Sequence, residues 1–269
     1  MTSYICATCG QAYPESDEPP ESCPICVDER QYVGAGGQRW TTLPELQAKH
    51  KSDIRQLEPN LLGLGAKPSI AIGQRALFIS QPGGGVLWDL TPLITDDAVA
   101  QIRMLGGLRA IAISHPHYYS TMTEWSAALG GVPIYLHADD ARHVVRPDPN
   151  VVSWTGETLD LGQGVTLIRT GGHFAGSAVL HWAAGAGGKG ALFTGDTIMV
   201  VPDTRHMSFM YSYPNLVPLP AGKVRAIAAA VEPYAFDRMY AAWWDRVSGH
   251  DAKARLARSV ERYIAAISD

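Results

Sequence analysis

Two histidines stand one residue apart where an apolar run ends: Ile111-Ala112-Ile113 stops at Ser114, and His115 and His117 follow. A third, His173, comes after the segment 165–170 and two glycines, Gly171 and Gly172, that let the backbone turn sharply. Asp196 sits just past another apolar run in "ALFTGDTI". Three expected strand ends thus each deliver a metal-type ligand into a loop region, and loops on a rigid scaffold are where such sites are built. Three imidazoles and a carboxylate can hold zinc and leave a position for water, whose pKa the ion lowers to ~7. The other six of the nine histidines, His50, His137, His143, His181, His206 and His250, are each expected in a structural or solvent role.

A second set of ligands lies near the start. Cys6 and Cys9 form one C-x-x-C pair, Cys23 and Cys26 another, with thirteen residues between them. Each pair is a knuckle that brings two thiolates to one metal, and two knuckles complete a tetrahedral set. Disulfides are disfavoured for a chain expected in the cytoplasm with no cysteine left over.

These ligands need elements to position them. The first thirty residues hold all four cysteines and six acids against one base, Arg30, with little apolar material, so metal binding is expected to supply much of their folding free energy. The glycine-rich stretch "VGAGGQRW" (33–40) marks a joint, which gives a module over 1–37 and a large domain over 38–269. Residues 44–58 read as one helix, with Pro44 in its first turn and Pro59 as its stop. Beyond residue 69, strands are expected at "SIAIG", "ALFIS", "VLWDL", "AIAIS" and "VPIYLH", near 151–154, 165–170, 178–182 and 190–194, and at "RMYAAWW". Helices are expected at 96–105, "MTEWSAALGG", 221–234 and 251–267. The mixture implies mixed sheets covered by helices, a layered α/β design.

The bulk numbers narrow the partners. The 269 residues are 46% hydrophobic and 18% charged, with a net charge of −4. No long basic block suggests nucleic acid or an anionic membrane as a partner. No apolar run approaches the ~20 residues of a membrane helix, and the N-terminus does not read as a secretory signal. A cytoplasmic location and a small-molecule substrate are the expectations. Residues 203–220, rich in Tyr, Met and Pro, could wall a pocket or pack as a buried loop.

"YICATCGQAYP" with "CPICVDERQYV" resembles the rubredoxin-like domain of rubrerythrins and zinc ribbons generally. That resemblance implies zinc in a structural role or iron as an electron carrier, with a protein or redox partner as one use of the module. Its acidic surface argues against the nucleic-acid role of many ribbons.

"SHPH", "GGHFAGS" and "LFTGDTI", in this order, resemble the metallo-β-lactamase fold over about residues 66–245. The resemblance implies an αββα sandwich, two packed mixed sheets with a site at one edge. The family signature is H-x-H-x-D-H, then G-G-H, then G-D, then a late histidine. Carried over, the first metal's set is complete in His115, His117 and His173, with the shared Asp196 beside them. The second metal's own set is not: Tyr119 stands in place of Asp and Ser120 in place of His. Trp243 or Trp244 occupies the neighbourhood of the late histidine, and His250, six residues beyond Trp244, is the remaining candidate. The expected site is therefore reduced to one metal, Zn2+ or Fe2+, with Asp196 as ligand or base and Tyr119 as a donor to a developing oxyanion. A hydrolase of esters, thioesters or lactones follows from that reading. The alternatives are a mononuclear iron oxygenase resembling the persulfide dioxygenases, and a non-catalytic binding protein. Oligomeric state is left open.

Overall fold

A computed structural model describes residues 1–268. By its contacts the chain divides into two units, Met1–Leu136 with Ala141–Ser153, and His137–Asp140 with Trp154–Asp269.

The first unit begins with a three-stranded sheet. Thr2–Cys6 lies in the middle, antiparallel to Ala12–Ser16 on one side and to Trp40–Thr42 on the other. The knuckles hang from it. Cys6, Cys9, Cys23 and Cys26 form a small buried cluster with Tyr13 and Ile25, against which Trp40 and Val145 pack. The opposite face is apolar as well: Ile5 and Ala12 share a cluster with Leu46, Ile70 and Leu93 of the rest of the unit.

The larger sheet of this unit has seven strands in the order Val151–Trp154, Ile134–His137, Leu108–Ala112, Gly85–Trp88, Ala76–Ile79, Leu61–Lys67 and Lys51–Glu58. Leu108–Ala112 is parallel to both neighbours, while the last four strands form an antiparallel meander. Val86, Leu87, Ile111 and Ala112 are fully buried, as expected for strands in the middle of a sheet. Asp96–Met104 and Met122–Ala128 are the helices that follow its central strands.

The second unit is built on a six-stranded sheet in the order Thr158–Gly162, Val165–Arg169, Ala178–Trp182, Ala191–Gly195, Arg238–Ala241 and Val247–Ser248. Only Ala191–Gly195 and Arg238–Ala241 run parallel, joined through the helix Ala221–Val231. That helix and the last one, Ala252–Ile267, cover the sheet through a core that includes Ile168, Val179, Leu192, Val224, Ile227, Met239 and Leu256.

Two expected elements are corrected. Residues 44–58 are not one helix: a seven-residue helix, Leu43–Lys49, ends at His50, and Lys51–Glu58 is a strand. The i, i+3 spacing of Ile54 and Leu57 imitates a helix, but antiparallel pairing with Leu61–Lys67, broken only by an irregularity between Gln56 and Glu58, prevails. "SIAIG" is a turn rather than a strand, with Ala71 at φ 52° and Gly73 at φ 78°. The strand of that region is Leu61–Lys67, one hairpin earlier. The other expected strands and helices lie within a few residues of their places.

Candidate metal centre

His115 and His117 leave the end of Leu108–Ala112 through a short turn. Asp89, at the end of Gly85–Trp88, accepts the Ser114 N–H at 2.8 Å and so fixes where that turn begins. Pro116 opens a 3₁₀ turn over Pro116–Tyr118, where a fixed φ suits the first position. His115 and His117 are 1% and 3% exposed, with ring centroids 5.2 Å apart. Ser114 Oγ lies 3.0 Å from His115 Nδ1 and steers that ring.

His173 is set within the second unit. Gly172 takes φ 88°, and a Cβ there would press on Ile227 at 2.7 Å, so the tight turn before His173 requires glycine. Ser177 closes the loop, its Oγ accepting the Phe174 N–H at 2.8 Å, and Asp140 accepts the Gly176 N–H at 2.9 Å. His173 Nδ1 is 3.0 Å from the Met210 carbonyl. A carbonyl only accepts, so Nδ1 carries the hydrogen and the ring's lone pair is at Nε2.

Asp196 follows the strand Ala191–Gly195 and is 4% exposed. The Tyr213 hydroxyl donates to the Asp196 backbone carbonyl at 2.8 Å. Burial, helped by the Asp196 charge, pushes the Tyr213 hydroxyl well up, so it stays a neutral donor.

The ligand atoms of His115, His117, His173 and Asp196 all lie within 4.8 Å of one another. Each residue is buried, and the donor set, imidazole nitrogens with one carboxylate, suits zinc or ferrous iron. The four cysteines form the other such group among the described residues. Cys6 and Cys26 sulfurs are 3.6 Å apart, as are those of Cys9 and Cys23, and none of the four cysteines is joined in a disulfide. Hydrogen bonding with Cys23 pulls the Cys6 thiol down and pushes Cys9 and Cys26 up, while Cys26 pulls Cys23 down. Four buried sulfurs this close together suit a shared cation. Gln38 also donates to Cys6 Sγ at 3.1 Å.

The remaining candidates are not part of that four-ligand group. Tyr119 is 1% exposed, and its backbone continues the turn, with its N–H donating to the Pro116 carbonyl at 3.3 Å. Ser120 is held by the cysteine module: its carbonyl accepts the Ala12 N–H at 3.1 Å and its hydroxyl donates to the Gly10 carbonyl at 3.3 Å. Arg238–Ala241 runs out into Ala242, half-buried Trp243 and half-buried Trp244. The His250 side chain is 67% exposed and bonds to Asp251 and Arg255 rather than joining the group. His50, His137 and His181 are engaged with the carbonyls of Pro68, Gly156 and Ala235. Residues 203–220 serve as packing and support: Phe209 and Leu219 enter the core, and Met210 and Tyr213 hold His173 and Asp196. Those two supports, with Asp89 and Ser114, carry no motif that sequence reasoning could catch, since two of the contacts run through backbone carbonyls.

No protein-family model matches the chain. Among solved structures it is similar to the DIM-1 metallo-β-lactamase, with a TM-score of 0.60 and 15% identity over 81% of this chain and 98% of that one. It is also similar to the mono-zinc form of the metallo-β-lactamase FIM-1 from Pseudomonas aeruginosa, with a TM-score of 0.55 and 15% identity over 81% and 97% of the two chains. The two large mixed sheets with their helices are thus the αββα metallo-β-lactamase fold, carrying an N-terminal four-cysteine module. Within that fold the chain belongs to the family of the uncharacterized protein YmaE of Bacillus subtilis: the two are 47% identical over 270 residues, 100% of this chain and 98% of YmaE.

Proposed function

We propose that the chain is a metal-dependent hydrolase that uses one metal, held by His115, His117, His173 and Asp196, to activate water against a small ester, thioester or lactone. The gathering of those four buried ligands carries the reading. The single-metal part rests on Tyr119 and Ser120, which stand where the resembled signature has Asp and His, and on the bonds that Ser120 makes instead to Gly10 and Ala12.

When bound, the metal supplies a nucleophilic water at neutral pH and polarises a carbonyl oxygen. The chain does the rest. Met210 and Ser114 fix the rings of His173 and His115. The Asp196 carboxylate ligates the ion or takes the proton of the attacking water at Oδ. The Tyr119 hydroxyl donates to the oxyanion as it develops. Low exposure at all four ligands excludes bulk water and strengthens each of these interactions.

Metal analysis with an ester, thioester and lactone panel tests the reading. Two metals per chain, one in each group, and turnover abolished by His115→Ala are expected. One metal per chain, or unchanged turnover in that variant, refutes it. The same ligands fit an Fe(II) oxygenase. Fe(II)-dependent oxygen uptake with persulfides and no hydrolysis would select that chemistry instead.

A further inference from the structure

The backbone that carries His115 and His117 is a short bridge with two anchors. Its first anchor is in the sheet, where Asp89 holds the Ser114 N–H. Its second is the cysteine module. Ser120, three residues past His117, receives the Ala12 N–H on its carbonyl and gives its hydroxyl to the Gly10 carbonyl. Gly10 directly follows the ligand Cys9, and its N–H donates to the Cys6 carbonyl at 2.8 Å, so it is part of the first knuckle.

The fit at this junction is close. Gly10 adopts φ 85°, and a Cβ there would overlap Pro92 Cγ. The Pro92 carbonyl accepts the Thr121 hydroxyl at 3.3 Å, and the Thr91 carbonyl accepts the Trp125 indole N–H at 2.9 Å. The knuckle thus rests on the same short loop that holds the start of Met122–Ala128. Arg146 adds a tie between Ser3 of the module and Glu124 of that helix. Ser120 itself sits at φ 49°, a conformation that a serine holds only where its surroundings fix it.

We infer that the four-cysteine module sets the position of the His115–His117 turn through Gly10, Ala12 and Ser120, with Ser120 as a positioning residue, so that filling the cysteine site prepares the histidine site to take its metal. The inference rests on the reading of His115, His117, His173 and Asp196 as a metal site. It gives the module a task within the chain itself. It also accounts for Ser120, which stands in place of the histidine of the resembled signature and here joins module to turn.

The test uses the full chain. Metal is stripped by chelation and one equivalent of Co2+ is returned, its thiolate charge-transfer band reporting occupancy of the cysteines. Amide hydrogen exchange then follows residues 115–122. Protection there is expected to rise as the cysteines fill, before the histidine site is loaded. In Gly10→Ala, whose new methyl group pushes the knuckle off Pro92, the thiolate band should persist. Protection of 115–122 should fall, and Zn2+ affinity at the histidine site should drop by ~10–100-fold, the range seen when an outer support of a metal ligand is lost. Ser120→Ala should show a weaker form of the same two losses. Exchange at 115–122 that ignores cysteine occupancy in the wild-type chain overturns the inference, whether or not the variants fold. A wild-type chain that binds only the cysteine metal refutes the metal-site reading instead, and the exchange result still decides this one.

Discussion

The two ligand groups are built by opposite strategies. The cysteines all come from residues 6–26, on two knuckles of a module whose buried cluster is largely the cysteines themselves. The histidines and Asp196 come from positions 115 to 196, each at the end of a strand whose apolar residues are already buried. In the first case a bound ion would substitute for a core. In the second a core exists and the ligands are its by-product, with Asp89 fixing the turn before His115 and with Ser114 and Met210 fixing the rings of His115 and His173. The difference predicts that the same operation, removing a metal, has unlike consequences in the two places.

The largest effect should follow loss of a cysteine ligand. Structural zinc contributes ~10–16 kcal/mol in isolated Cys/His modules. In Cys23→Ser, residues 2–31 should lose amide protection while the six-stranded sheet of the second unit keeps it. Hydrogen exchange with mass spectrometry checks this, and a module that keeps its protection without metal would break the contrast.

Loss of a histidine ligand should act on chemistry rather than on fold. His117→Ala should cost more than the ~10–100-fold in metal affinity attached to outer-shell partners, and turnover with it. Its effect on stability should be only the ~1–3 kcal/mol typical of a buried truncation. Calorimetry beside metal titration separates the two. Collapse of the large domain on loss of this one ring would show that here too the ion is the core.

A smaller effect sharpens the claim that the second group is held by its scaffold. Tyr213→Phe removes the hydroxyl that donates to the Asp196 carbonyl at 2.8 Å and, at 3.4 Å, to the Ser208 carbonyl; a single such bond is worth ~0.5–1.5 kcal/mol. The loss should appear in metal affinity at the histidine site and leave the thiolate spectrum of the cysteine site unchanged.

The same contrast explains what could be read from the residues alone. A ligand set confined to residues 6–26 is a local pattern, and its spacing announces it. The strand-end motifs at His115, His173 and Asp196 are local too, and only their meeting required the fold. What escapes is whatever acts through the backbone or across long separations. Met210 supports His173 with a carbonyl any residue could supply, and Gly10 meets Ser120 across 110 positions with no signal at either end. The helix expected over 44–58 fails for a related reason. Spacing in that segment fits two periods, and the strand Leu61–Lys67 that decides between them lies outside it.

Acid provides the mildest and most discriminating probe. In the cysteine module protons compete directly with the ion for thiolates, so acidification should release metal and unfold the module together. In the second unit the relevant group is His181, which is 8% exposed and lies 2.8 Å through Nε2 from the Ala235 carbonyl. Burial lowers its pKa, outweighing the opposing pull of that carbonyl. Folded His181 therefore stays neutral at a pH where the unfolded chain, near the ordinary imidazole value of ~6.5, already binds a proton. More protons on the unfolded state mean that stability falls as pH falls. The loss begins near ~6.5 and levels off below the folded pKa, once both states are protonated. Urea denaturation of the wild type between pH 7 and pH 5, followed by tryptophan fluorescence, should show this limb. His181→Gln, which keeps a donor for Ala235 but does not titrate, should flatten it by up to one proton. An unchanged slope in that variant would take the acid sensitivity away from the core around His181 and assign it to the two ligand groups, whose imidazoles and thiolates both take up protons when metal is released.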